Sequence, residues 1–197
     1  MKRRGPAKGR ADMRKALVVF IILLLGVAAS GVVGCGGNTG QAKTYMKEAD
    51  AAYDKLKKEM DALQGTLTGV LGGAVMGNYG MLTPQMLDEA AASIKEALSK
   101  MPAVKADYEK LAGLSGVPEY SGYANAMIRA IEASTEALER GQKVIEQLKP
   151  LLASGDTAAI KGVLNAEEIN ELQKLQEVAV RAYADAQAVK TGKNLGE

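Results

Sequence analysis

Histidine and tryptophan are absent from this chain of 197 residues, and cysteine and phenylalanine occur once each. Without histidine there is no axial ligand for a haem and no Glu-x-x-His pair of the kind that builds di-metal centres inside helical bundles. A serine has no imidazole to take its proton, and no lysine stands convincingly placed to replace one, so nucleophilic catalysis is not expected. We expect no enzyme, no cofactor and no metal. The single cysteine, Cys35, cannot close a disulfide within the chain. Apolar and polar residues nowhere alternate at period two for long enough to make a strand, so the expected class is all-α.

Basic charge is also scarcer than the whole-chain figures suggest. The formal charge is +2 and the pI about 8.5, but Lys2, Arg3, Arg4, Lys8, Arg10, Arg14 and Lys15 face only Asp12 within residues 1–34. Residues 35–197 hold 18 basic and 22 acidic side chains, a formal charge of −4. Nucleic acid is therefore not an expected partner, because binding that polyanion needs a retained basic patch. The one Phe, Phe20, also falls in the first segment, which leaves seven tyrosines as the only aromatics beyond it.

Residues 16–33, ALVVFIILLLGVAASGVV, are uncharged and apolar and follow the basic stretch, which is the layout of an export signal. Such a run could just cross a bilayer as an uncleaved anchor helix, or it could be removed. Val32-Val33-Gly34-Cys35 closes it, with a branched apolar residue three places before the cysteine and a glycine immediately before it. This sequence resembles the lipobox of bacterial lipoproteins, a resemblance that covers about the first 36 residues and none of the rest. It implies a signal peptide helix over residues 1–34, cleavage between Gly34 and Cys35, and a diacylglyceryl group with palmitate-type chains on the Cys35 thiol. It also implies a place on the extracytoplasmic face of a cell membrane or envelope. Each buried methylene contributes about 0.8 kcal/mol, so two or three acyl chains hold a protein where one does not. Gly36 is not Asp, so the retention signal of some two-membrane bacteria is absent. Residues 35–41 are expected to be the lipidated cysteine with a Gly-rich tether, and residues 42–197 a bundle domain.

In that domain Met46, Ala49, Tyr53, Leu56, Met60, Leu63, Leu67 and Val70 recur at alternating spacings of three and four, a heptad seam. Lys43, Lys47, Glu48, Asp50, Asp54, Lys55, Lys57, Lys58, Glu59 and Asp61 fall off it and read as a solvated face. Thr83-Pro84 predicts a second helix through Leu87, Ala90, Ile94, Leu98 and Met101. Pro102 predicts a separate short piece through Val104, Tyr108 and Leu111. The longest stripe is Tyr120, Tyr123, Met127, Ile131, Leu138, Ile145, Leu148 and Leu152, with Ser134 and Gly141 in its gaps, and Gly141 and Pro150 expected to weaken or bend it. Asp156 reads as the N-cap of a short helix to Leu164, and Asn165-Ala166-Glu167-Glu168 opens a last one through Ile169, Leu172, Leu175, Ala179, Ala182, Ala186 and Val189. The sum is a bundle of about four main helices with two short connecting ones.

Acidic groups such as Glu132, Glu136 and Glu139, or Glu167, Glu168 and Glu171, are explained by solvated faces and helix starts. Two features exceed plain packing. The all-tyrosine aromatic set, with Tyr120 and Tyr123 opening the long helix, could fill the core or line an apolar pocket with wet hydroxyls. Residues 65–81, GTLTGVLGGAVMGNYGM, are uncharged and carry six glycines, each costing about 0.5 to 1 kcal/mol in a helix, so an uninterrupted helix there needs close packing. Val70, Leu71, Val75, Met76 and Met81 could form an adaptable apolar contact surface there. The expected function is a non-catalytic, membrane-anchored helical module that meets an envelope protein. The alternative is a lipid-anchored carrier of a small apolar ligand.

Overall fold

A computed structural model describes residues 38–75, 82–164 and 167–195, the side chains of 66–75 and of Glu168 excepted. The expected signal helix, Gly34, Cys35, Asn165, Met76 and Met81 lie outside the described residues, as do the side chains of Val70, Leu71 and Val75.

The chain is an all-α bundle, with no strand among the described residues. Helix α1 spans Thr39–Val75, α2 Pro84–Ala112, α3 Pro118–Ser154, α4 Thr157–Leu164 and α5 Glu167–Gly192. Four are long and alternate in direction, α1 on α2, α2 on α3 and α3 on α5, and short α4 packs mainly on α3. No described helix is long and apolar enough to cross a membrane.

Three sequence expectations change. The tether is shorter than expected, because Thr39, Gly40 and Gln41 already belong to α1, whose first turn closes on Asn38 O through the Ala42 N–H at 2.8 Å. The helix also runs on through the glycines to Val75. Nor is there a separate piece at Pro102, since α2 continues through it to Ala112. Pro102 lacks the N–H that Leu98 O would accept, a local loss of one bond. Flanking turns that bury Leu87, Ala90, Ile94, Ala97, Met101, Val104, Tyr108 and Leu111 on one face outweigh it. Helix α3 likewise continues through Pro150, to Ser154.

The predicted caps are in place. Thr83 Oγ1 accepts the Met86 N–H at 3.2 Å and Asp156 Oδ1 the Ala159 N–H at 2.9 Å. Helix α3 stops at Gly155 with φ +70°, where the Asp156 N–H reaches Leu151 O at 3.1 Å, and α5 stops likewise at Asn194 with φ +50°, the Leu195 N–H reaching Lys190 O at 2.9 Å. Both are Schellman closures, and the second folds Leu195 into the core.

The core has two centres. Near the start of α1, Ala42, Met46, Ala49 and Leu56 pack with Tyr108, Leu111, Val117, Tyr120, Tyr123, Met127, Ala186 and Leu195. Toward the other end, Leu63, Leu82, Leu87, Ile94, Val144, Ile145 and Leu148 enclose Ile160 and Leu164 of α4. Helix α5 is the least enclosed, with only Ala182 and Ala186 of its stripe buried and Ile169, Leu172, Leu175, Ala179 and Val189 half-buried. Among the described side chains, its Val178 is the large apolar one left exposed, at 53%.

Candidate functional site

Asp50 sits beside the seam residue Ala49, a third of the way along α1, and its carboxylate turns inward. Tyr108 Oη donates to Oδ1 at 2.8 Å from α2, and Tyr123 Oη donates to the same oxygen at 2.6 Å from α3. Lys190 Nζ approaches Oδ2 at 2.6 Å from α5. One carboxylate thus collects a donor from every other long helix. Its side chain is 18% exposed and that of Lys190 33%, so the ion pair lies at the edge of the core.

The tyrosine rings continue the cluster. Tyr108 meets Tyr123 edge to face at 6.0 Å between centroids, and Tyr53 meets Tyr108 the same way at 6.4 Å. Tyr53 stacks on Tyr183 of α5 at 5.7 Å with planes 23° apart, and Lys190 Nζ lies 5.7 Å from the centre of the Tyr123 ring. Such ring pairs add about 0.5 to 1.5 kcal/mol each beyond their buried area. The backbones of α1 and α5 make little contact, and these side chains help to bridge them, together with Ala186 and Val189 in the shared core.

Burial is the main cause that pushes the phenols of Tyr53, Tyr108, Tyr123 and Tyr183 above their ordinary value. Neighbouring charge acts in the same direction, from Asp50 on Tyr108 and Tyr123 and from Asp54 and Asp61 on Tyr53. All four therefore stay neutral donors through the range in which proteins work. Chemically the arrangement saturates itself: two phenols and an ammonium neutralise and solvate one carboxylate, which leaves it poorly placed to take a substrate proton.

Sequence reasoning put Asp50 on a solvated face, and that is corrected here. A signal was available, because Asp50 follows Met46 by four and precedes Tyr53 by three, which sets it on the rim of the seam, and two stripe tyrosines needed acceptors. Of the tyrosines singled out at the start of α3, Tyr123 joins the cluster, whereas Tyr120 is buried among the apolar residues near it. Among the acidic groups, Glu132 pairs with Lys105 at 2.7 Å and Glu136 with Arg140 at 3.1 Å, which are exposed surface bridges. Among the described residues no group of three or more His, Cys, Asp or Glu could hold a metal ion.

An open groove of about 500 Å³ runs between α2 and α3 beside Pro102. Met101 and Ile131 lie at its base, Thr135 donates to Ile131 O at 2.8 Å with its Oγ1 against Met101 Sδ, and Glu132, Glu136 and Glu139 edge it. Compared with protein-family models, with curated proteins and with solved structures, the chain matches none.

Proposed function

We propose that this protein is an extracytoplasmic lipoprotein, held to a membrane by acyl chains on Cys35, and that its bundle is a non-catalytic module for contact with an envelope protein. The anchor half of the reading rests on the basic-then-apolar segment ending in Val32-Val33-Gly34-Cys35. The module half rests on how the tyrosines are used. A carrier of small apolar ligands keeps a cavity with a few converging polar groups free inside its bundle. Here Tyr108 and Tyr123 are buried, pack on each other, and direct their hydroxyls to Asp50. The largest enclosed side chains, among them Leu56, Leu87, Ile94, Met101, Met127 and Ile131, pack the core around them. A filled, cross-linked core suits a rigid body that offers its outer faces to another molecule.

Mass spectrometry under native and denaturing conditions on the protein purified from a lipoprotein-processing host tests both halves. The expected result is an N-terminal Cys35 carrying acyl mass and no stoichiometric small molecule. An unprocessed, unacylated chain would overturn the anchor, and a co-purifying small ligand would overturn the module.

A further inference from the structure

Asn38 donates its side-chain amide to Ser115 O at 2.8 Å and Ser115 Oγ at 3.4 Å, so the start of α1 is fastened to the turn between α2 and α3. Three residues of chain span at most about 11 Å, so Cys35 cannot lie farther than that from Asn38 whatever path the chain takes. A diacylglyceryl group holds its cysteine at headgroup level, and the headgroup layer is about 5 to 7 Å deep on each side. Ser115 O, 2.8 Å from the Asn38 amide, then lies within roughly 17 Å of the cysteine, which keeps the turn near that layer.

The surface brought there is unlike the bundle's flanks. Residues 113–118, GLSGVP, carry no charge, with Gly113, Ser115, Gly116 and Pro118 exposed, Leu114 half-buried and Val117 buried beneath. Gly116 turns the chain at φ +77°, a conformation that favours glycine. Lys110, on one side of the turn, pairs with Asp107 at 2.7 Å. The flanks instead carry hydrated ion pairs, Lys100 with Glu59 and Glu96, Lys105 with Glu132 and Lys149 with Asp88. Residues 35–197 are net acidic at −4, so laying a flank on an anionic leaflet brings like charges together and strips water from the pairs.

We propose, on the reading that Cys35 is lipidated, that the 113–118 turn is a foot that rests in the headgroup layer of the leaflet holding the anchor. The partner of this surface is the lipid itself. The bundle then stands on its end, and α1, 37 residues long, carries its Val75 end away from the bilayer. At 1.5 Å per residue that is roughly 55 Å.

The lipid blocks the native thiol, so one introduced cysteine is the only free one in the processed protein. Ser115→Cys at the foot, Glu119→Cys beside it and Ala158→Cys on α4 are each labelled with an environment-sensitive fluorophore. The labelled proteins are reconstituted in vesicles of phosphatidylcholine and phosphatidylglycerol containing headgroup-quencher lipid. The foot labels are expected to be quenched about threefold more than the label on Ala158→Cys, given the thin headgroup layer. Equal quenching at the two ends, or quenching at Ala158→Cys alone, overturns the foot while an acylated mass keeps the anchor. An unacylated mass overturns both.

Discussion

Lys190 and Asp50, 140 residues apart in the chain, meet at 2.6 Å and join the last turns of α5 to the first third of α1. The pair is partly exposed, and surface pairs alone contribute little. What makes this one matter is the carboxylate's second oxygen, on which two buried phenols depend. Replacing Asp50 with Ala leaves Tyr108 and Tyr123 with unsatisfied hydroxyls in the core, each costing about 1 to 3 kcal/mol. Asp50→Ala is expected to lower stability by about 3 kcal/mol, a fall in Tm of roughly 6 to 12 °C for a domain of this size. Asp50→Asn keeps an acceptor and is expected to lose about half as much, and Lys190→Met about 1 kcal/mol or less. Thermal melting followed by circular dichroism decides it. If Asp50→Ala melts with the parent, the network is incidental.

Much of the fold was legible because one physical pattern repeats. Met46, Leu56, Leu87, Ile94, Met127, Ile131 and Ile145 recur at three-four spacing, and all are buried where that spacing puts them. Thr83, Asp156 and Gly155 mark helix ends through local hydrogen bonds, which are written in adjacent residues. Pro102 misled because local propensity is a small term that the buried face of a long helix overrides, and the glycines of α1 likewise did not end their helix before Val75. The Asp50 cluster was hidden for another reason: its members, 50, 108, 123 and 190, come from four helices, and no local pattern records which distant side chains will meet.

Tyr183 tests the seam between α1 and α5. Its ring on Tyr53 and the Asp50 pair connect those helices beside the shared apolar core. Truncation by Tyr183→Ala is expected to cost about 1 to 2 kcal/mol, from lost ring contact and partial burial. The loss should be local. Amide hydrogen exchange is expected to quicken in α5 well before α3 is affected, as for a unit that opens on its own. Uniform acceleration across all helices would mean that α5 has no independent opening.

Glycine substitutions are expected to split by backbone conformation. A Cβ on Gly141 of α3 would meet Ile94 Cδ1 at 3.8 Å, an ordinary contact, and one on Gly65 of α1 would meet nothing within 4 Å. Gly141→Ala and Gly65→Ala should each raise stability by about 0.5 to 1 kcal/mol through helix propensity. At Gly155, where φ is +70°, Ala is strained even though the space is open, and about 1 kcal/mol should be lost. Urea denaturation of the three variants gives the signs directly. A destabilising Gly141→Ala would show that α3 and α2 are packed more tightly there than these distances allow.

Alkaline pH should unfold the protein in a way that the tyrosines dictate. The phenols of Tyr53, Tyr108 and Tyr123 are raised in the folded state, chiefly by burial, above the value of about 10 that each takes when unfolded. Such groups contribute stability that is fully present below the unfolded value and is lost as pH rises above it, because the unfolded chain then releases protons that the folded chain keeps. Stability should be insensitive to these groups up to about pH 9 and fall beyond pH 10. Each tyrosine adds a slope approaching 1.4 kcal/mol per pH unit, so three together approach about 4. Tyr108→Phe and Tyr123→Phe each remove one proton from that count and should flatten the decline by about a third. Tyrosinate absorbance recorded beside the helical signal provides the check. These tyrosines should ionise together with the loss of helix, and ionisation of all the phenols near pH 10 with the helices intact would show that the cluster is open to water.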